Sequence, residues 1–155
     1  MTTTYEDLGS LDDWLLSQGI EQAERGVSIE DQLIPPTVER LGLPLVYLYA
    51  TAIFDGEVAN GSLQQFFDNS SGALAPTVRD ALQEIQLPQY ASIMKKIIDA
   101  FGVTFPYAQW DRMDQIDNDP TLQNLLDVGS DAIDVWSREF VLARDTYARK
   151  HHLLN

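Results

Sequence analysis

The side chains that could do chemistry in this chain of 155 residues are mainly carboxylates. Four aspartates are spaced like the ligands of a calcium-binding loop, namely Asp111, Asp114, Asp117 and Asp119. An EF-hand loop also needs a glycine at its sharp turn, whereas Pro120 follows these aspartates. His151 and His152 are adjacent and would point about 100° apart on a helix, so they do not form a ligand pair. We therefore expect no metal site.

Nucleophilic catalysis and cofactor binding lack their usual sequence signals. The chain has no cysteine, which excludes disulfides and thiolate nucleophiles. We find neither a phosphate-binding glycine loop nor a dinucleotide fingerprint, and two histidines at one end of the sequence do not suit a Ser-His-Asp triad. We predict a protein that is not an enzyme and that has no cofactor.

The charge of the chain is strongly negative and unevenly distributed. With 24 Asp and Glu against 10 Lys and Arg, the formal net charge is −14, which excludes a basic nucleic-acid-binding protein. The excess lies in residues 1–39 and 111–134, whereas residues 138–155 are mildly basic. Acidic residues can serve solubility alone, but solubility does not require them to be concentrated in two segments of the chain.

The elements that must position these carboxylates are predicted to be helices. The first expected helix begins with a cap at Ser10 and ends at Gly19, and a turn follows Ser28. The further expected helices are a short one at 37–41, a buried central one at 45–58, a short one around Phe66, and two at 76–85 and 88–101. No segment alternates as a strand would. We predict an all-α fold, a compact single-domain bundle of about six to eight helices over residues 1–155.

The C-terminal segment has the most regular apolar pattern. Spacings that alternate between four and three residues connect Leu122, Leu126, Gly129, Ile133, Trp136, Phe140, Ala143 and Tyr147. This pattern predicts one long helix or two collinear helices with a continuous buried stripe. Gly129-Ser130 is the expected break.

One segment in the middle of the chain is more particular than amphipathicity requires. Its notable residues are Glu57, Asn60, Gly61, Gln65, Phe66, Phe67, Asn69, Ser71 and Gly72. We expect Asn60 to cap the short helix, Gly61 to make a turn, the two phenylalanines to enter the core, and residues 69–72 to end the helix. The other interpretation is a pocket around Glu57, Asn60 and Gln65 that binds a small ligand.

With this segment the chain resembles the DNA mimic protein family, whose members are small, acidic, all-helical domains. The matching run is Glu57, Asn60-Gly61, Gln65-Phe66-Phe67 and then Asn69 to Gly72. The resemblance covers residues 40–152 and departs at Ser62, where the family usually has a second glycine. Residues 1–39, an acidic and predicted helical segment, do not align.

The resemblance implies mimicry of double-stranded DNA, with carboxylates in place of phosphates and a basic DNA-binding protein, such as a transcription factor, as the partner. The candidate phosphate-mimicking residues are Asp12, Asp13, Glu30, Asp31, Asp111, Asp114, Asp117, Asp119, Asp127, Asp131 and Asp134. One helix is not enough, because the row of Asp127, Asp131 and Asp134 provides about one charge per 5 Å and duplex DNA one per about 1.7 Å. The row, the expected loop at 111–119 and the N-terminal acids must converge, or a homodimer must align two copies.

Two other classes of function stay open. Small acidic domains also act as immunity or antitoxin proteins that neutralise a basic toxin by electrostatically steered association. The third alternative is an interaction scaffold whose acidity only confers solubility. In all three cases we expect a cytoplasmic protein with no direct nucleic-acid binding and no membrane contact, since residues 1–7 lack a signal sequence and the apolar run 41–54 is too short to span a bilayer.

Overall fold

Helices hold most of residues 3–155, the part of the chain that a computed structural model describes. They are α1 Leu8–Glu24, α2 Pro36–Glu39, α3 Leu43–Asn60, α4 Leu63–Asp68, α5 Ala75–Glu84, α6 Pro88–Ala100, α7 Gln109–Asn118, α8 Pro120–Ala132 and α9 Arg138–Lys150, with a 3-10 helix at Ser70–Leu74. Within this range no strand forms, and Tyr5 and Leu154 make one isolated parallel bridge. The predicted all-α class is confirmed.

The central helix is α3, as predicted, and it is buried almost all round. Pro44 occupies its first turn, where a missing N–H costs no hydrogen bond. Leu48 and Ala50 are both fully buried although they point to opposite sides of the helix. Helices α1, α2, α4, α5 and α9 all pack against α3. This helix therefore organises the core.

The first helix differs from the prediction at both ends. Its N-cap is Asp7, whose carboxylate accepts a hydrogen bond from the backbone N–H of Ser10 at 2.8 Å, so Ser10 is not the cap. The helix continues through Gly19 to Glu24. A Cβ at position 19 would lie 2.7 Å from the Tyr49 hydroxyl, so this glycine allows close packing on α3 and does not end the helix. The segment after Ser28 forms turns only.

The C-terminal pattern produces two helices that pack on different partners. The break lies at residues 133–137, not at Gly129-Ser130. Gly129 lies inside α8, where a Cβ would meet the side chains of Leu63 and the α6 helix. Helix α8 packs on α4, α6 and α7, whereas α9 packs on α1 and α3. The predicted stripe is therefore interrupted, and its member Trp136 is 75% exposed.

Helix α7 replaces the loop that was expected at 111–119. Asp and Asn are poor helix formers, but Arg112 and Ile116 lie one turn apart and are both fully buried. Packing of these two side chains overrides the weak local preference. None of the helices in the described part of the chain has the length and apolar character needed to cross a bilayer.

Candidate acidic interaction surface

The particular segment in the middle of the chain forms a hydrogen-bonded junction between α3 and α4. Glu57 accepts three hydrogen bonds through its carboxylate, from Asn69 Nδ2 at 2.8 Å, Ser71 Oγ at 3.1 Å and Gln65 Nε2 at 3.3 Å. Phe66 and Phe67 are fully buried, as predicted. The polar residues of the segment thus satisfy one another.

The cap of α4 is Ser62, not Asn60. Ser62 Oγ accepts from the backbone N–H of Gln65 at 3.3 Å, while Asn60 is the last residue of α3 and is exposed. The N–H of Leu63 is bound by Ser130 Oγ at 3.0 Å. Ser62 therefore supplies a helix cap that a glycine at this position could not provide through a side chain.

Arg112 holds this junction from the other side, and the sequence analysis assigned it no role. Its guanidinium is fully buried and bonds only to backbone carbonyls, with Nε 2.9 Å from Phe67 O and Nη2 2.7 Å from Asn69 O. Burial lowers the pKa of this guanidinium. A Cβ at Gly72 would lie 2.8 Å from Arg112 Nε, so Gly72 is required by the close approach of the arginine.

The Glu57 carboxylate, around which the alternative interpretation places a small-ligand pocket, is engaged by hydrogen bonds from its own chain. The Glu57 carboxylate is enclosed by its three donors, and a groove of about 220 Å³ nearby is lined by Gly61 and Ser62 but not by Glu57, Asn60 or Gln65. Between residues 3 and 155 we find no group of three or more His, Asp or Glu side chains that could hold a metal ion.

The carboxylates of α7 form the clearest exposed acidic row. Asp111, Asp114 and Asp117 are all exposed, and none makes an ion pair within residues 3–155. Glu30 of the N-terminal segment joins them, since its Oε1 accepts from the backbone N–H of Gln109 at 2.7 Å. A carboxylate at this position is favoured by the dipole of the helix N-terminus. The fold thus brings an N-terminal acid to the start of α7.

The acids of α8 form a second row on the helix that packs against α7. Asp127 and Asp131 are exposed on α8. Asp134 is also exposed but lies beyond the end of the helix at Ala132, so the predicted row of three on one helical face is wrong for Asp134, whose Oδ1 accepts from the backbone N–H of Trp136 at 2.9 Å. Asp119 is half-buried and caps α8 by accepting from the N–H groups of Thr121 and Leu122. Asp119 therefore has a structural task besides its charge.

The remaining candidates belong to the N-terminal segment, and one of them is neutralised inside the chain. Both oxygens of Asp12 accept from the guanidinium of Arg144 at 2.7 Å, and Arg144 is 2% exposed. This is an internal ion pair, so the charge of Asp12 is balanced by a base of the same chain. Asp13 on α1 and Asp31 in the following turns are exposed, and Asp31 Oδ2 accepts from Ser28 Oγ at 3.1 Å.

Comparison with known proteins identifies a family but no individual relative. Neither the curated proteins nor the solved structures include a match to this chain. A family model described as DMP19-like protein matches residues 39–153, which is most of the chain and coincides with the region that resembles DNA mimics. The matched part includes the Glu57 junction, Arg112 and both acidic rows. The chain therefore belongs to the DMP19-like family, which is the DNA mimic protein family.

Proposed function

We propose that this protein is a non-enzymatic DNA mimic that binds a basic DNA-binding protein, such as a transcription factor, and occupies its DNA-binding surface. The observation that carries the proposal is the exposed row of Asp111, Asp114 and Asp117 on α7, which makes no ion pair with any residue from 3 to 155 and is joined by Glu30 at the helix start. In a DNA mimic, such carboxylates take the places of phosphates.

The charge spacing supports two helices as the mimicking unit. Three-residue steps along α7 correspond to about one charge per 4.5 Å of rise, and duplex DNA carries one per about 1.7 Å. One row is therefore too sparse. Helices α7 and α8 are in contact, and each carries a row of exposed acids. Together they come closer to the charge density of DNA than either does alone.

The experiment that tests the proposal starts with capture of partners from the native lysate and elution in a salt gradient. Duplex DNA is then added to the purified complex. We expect DNA and this protein to compete for the partner. The affinity should fall with added salt less steeply than that of DNA, because a folded protein condenses fewer counterions.

Charge reversal locates the binding surface. Asp111→Lys with Asp114→Lys should weaken binding strongly, and so should Asp127→Lys with Asp131→Lys. The matched control is Asp80→Lys with Asp99→Lys, because both aspartates are exposed outside α7 and α8 and the double reversal changes the net charge by the same amount as each test variant. Formation of the partner–DNA complex in the presence of this protein would contradict mimicry. An equal effect of the control would show that only total charge matters.

A further inference from the structure

Two aromatic side chains are exposed at the start of the acidic helix α7. Trp110 is 77% exposed and Tyr107 is 44% exposed. Large aromatic side chains lose favourable burial when they face water, and at interfaces they are the residues that most often dominate binding energy. Their position among exposed carboxylates favours a partner that can use both an aromatic face and a negative charge.

The spacing on α7 places an aromatic ring beside a carboxylate. Trp110 and Asp114 are four residues apart and so lie on one face of the helix, with Cβ atoms about 5–6 Å apart. Asp111 follows Trp110 directly. Both aspartates are exposed, and neither makes an ion pair within the part of the chain that the structure describes.

A groove adjoins this pair on the N-terminal side of α7. It has a volume of about 570 Å³, and Tyr107, Glu30, Asp31 and Glu39 lie along it. The hydrogen bond from the Gln109 N–H to Glu30 connects the groove to the first turn of α7. Aromatic and acidic side chains therefore continue from the helix into a concave surface.

The backbone beneath these side chains is held in place. Arg112 Nη1 donates to the carbonyl oxygen of Tyr107 at 2.6 Å and to that of Pro106 at 3.1 Å. Because these bonds come from a buried guanidinium, they fix the turn that precedes Trp110. A surface whose backbone is fixed before binding loses less conformational entropy when a partner docks.

We propose that this surface, which we call the aromatic–acidic face and define as Glu30, Tyr107, Trp110, Asp111 and Asp114, binds an arginine side chain of the basic partner. The inference rests on the proposed function in one respect, namely that the partner is basic. The planar guanidinium stacks on Trp110 while its N–H groups donate to the Asp114 carboxylate. Lysine presents a strongly hydrated point charge and offers neither the planar stack nor the two-pronged hydrogen bond.

The test uses two fluorescently labelled peptides of equal charge, an octamer of arginine and an octamer of lysine, titrated with the full chain at fixed salt. We expect the arginine octamer to bind about tenfold more tightly, since cation–π stacking favours guanidinium. Trp110→Ala should remove most of this preference and change the affinity for the lysine octamer about twofold or less. Asp114→Asn should weaken both peptides.

The matched control is Trp136→Ala, because Trp136 is equally exposed, at 75%, but lies outside the aromatic–acidic face. It should leave the arginine preference unchanged. Equal affinities of the two octamers for the unmodified protein would overturn the inference, and so would an arginine preference that survives Trp110→Ala or is lost equally in Trp136→Ala. Competition between DNA and this protein is measured in a separate experiment. The two proposals can therefore fail independently, DNA mimicry by the competition result and arginine binding by the peptide result.

Discussion

Replacement of Arg112 by methionine should destabilise the fold more than most single substitutions. The guanidinium is fully buried and donates to five backbone carbonyls, those of Phe67, Asn69, Ser70, Pro106 and Tyr107. Four of these bonds are between 2.6 and 3.1 Å long, and the fifth, to Ser70, is 3.4 Å. Methionine fills similar space but donates nothing.

The magnitude follows from three of the short bonds, those to Phe67, Pro106 and Tyr107, because Asn69 O also accepts from the backbone N–H of Gly72 at 3.0 Å. A buried carbonyl left without a donor costs about 1–3 kcal/mol, and relief from burying a charge offsets part of the total. We expect the free energy of unfolding to fall by about 4 kcal/mol, which is a large part of the 5–15 kcal/mol typical of a domain. Arg112→Lys should cost less, because an ammonium group supplies three donors.

Urea unfolding followed by far-UV circular dichroism measures this change, provided that the denaturant dependence m stays constant. The control is Arg40→Met, since Arg40 is exposed and makes no side-chain hydrogen bond or ion pair within residues 3–155. It should alter stability by about 0.5 kcal/mol or less. If Arg112→Met lay within about 1 kcal/mol of the unmodified protein, water or relaxation would be satisfying the carbonyls and the reasoning would be refuted.

Three further predictions concern the same region and the core. Gly72→Ala should destabilise the protein by about 1–3 kcal/mol, because the new Cβ would lie within 2.9 Å of two backbone oxygens. Gly56→Ala has open space around it and should stabilise α3 by about 0.5–1 kcal/mol. Thermal unfolding distinguishes the two variants, and equal effects would contradict the close packing at Gly72. Ser62→Ala should cost about 1 kcal/mol in urea unfolding and Asn60→Ala almost nothing, and the reverse order would restore Asn60 as the cap. Burial raises the pKa of Asp55, so the folded state binds a proton at this carboxyl more tightly than the unfolded state does. The folded state therefore loses stability as the pH rises from the unfolded pKa of about 3.9 to the higher pKa of the folded state. Asp55→Asn should therefore raise the free energy of unfolding at pH 7, and the gain should vanish below about pH 4; a pH-independent gain would point to another cause.

Elements specified by local pattern could be predicted from the sequence. The helices expected at 76–85 and 88–101 are observed at Ala75–Glu84 and Pro88–Ala100. In both, a proline in the first turn and apolar residues at helical spacing act within one segment. The burial of α3 could also be predicted, because its apolar residues surround the whole helix.

Features that depend on distant residues could not be predicted. Glycine is typical of a helix end, so Gly19 was the predicted end of the first helix. Only the close contact with Tyr49 on α3 shows that Gly19 is a packing position inside α1. Arg112 stands among aspartates, which indicates a surface residue, yet its carbonyl partners come from two separate segments of the chain, residues 67–70 and 106–107. The one signal in the sequence was the spacing of Arg112 and Ile116, which are four residues apart and so lie on the same face of a helix.

The same limit applies to the acidic surface. The exposure of Asp111, Asp114 and Asp117 follows from helical spacing once α7 is known. The internal pairing of Asp12 with Arg144 joins residues 132 positions apart, and no local pattern indicates it. The meeting of Glu30 with the start of α7 likewise depends on the tertiary fold.

The ion pair of Asp12 with Arg144 shows that the family match and the folded unit do not begin at the same residue. The match begins at residue 39, but α1 places Leu11 and Leu15 in the core with no exposed surface. Removal of residues 1–38 would take away the carboxylate that pairs with Arg144 together with the apolar side chains of α1 that pack against the core. The N-terminal segment, which lies outside the family match, is thus an integral part of the hydrophobic core, and a chain without such a segment would have to cover the same face of α3 and α9 in some other way.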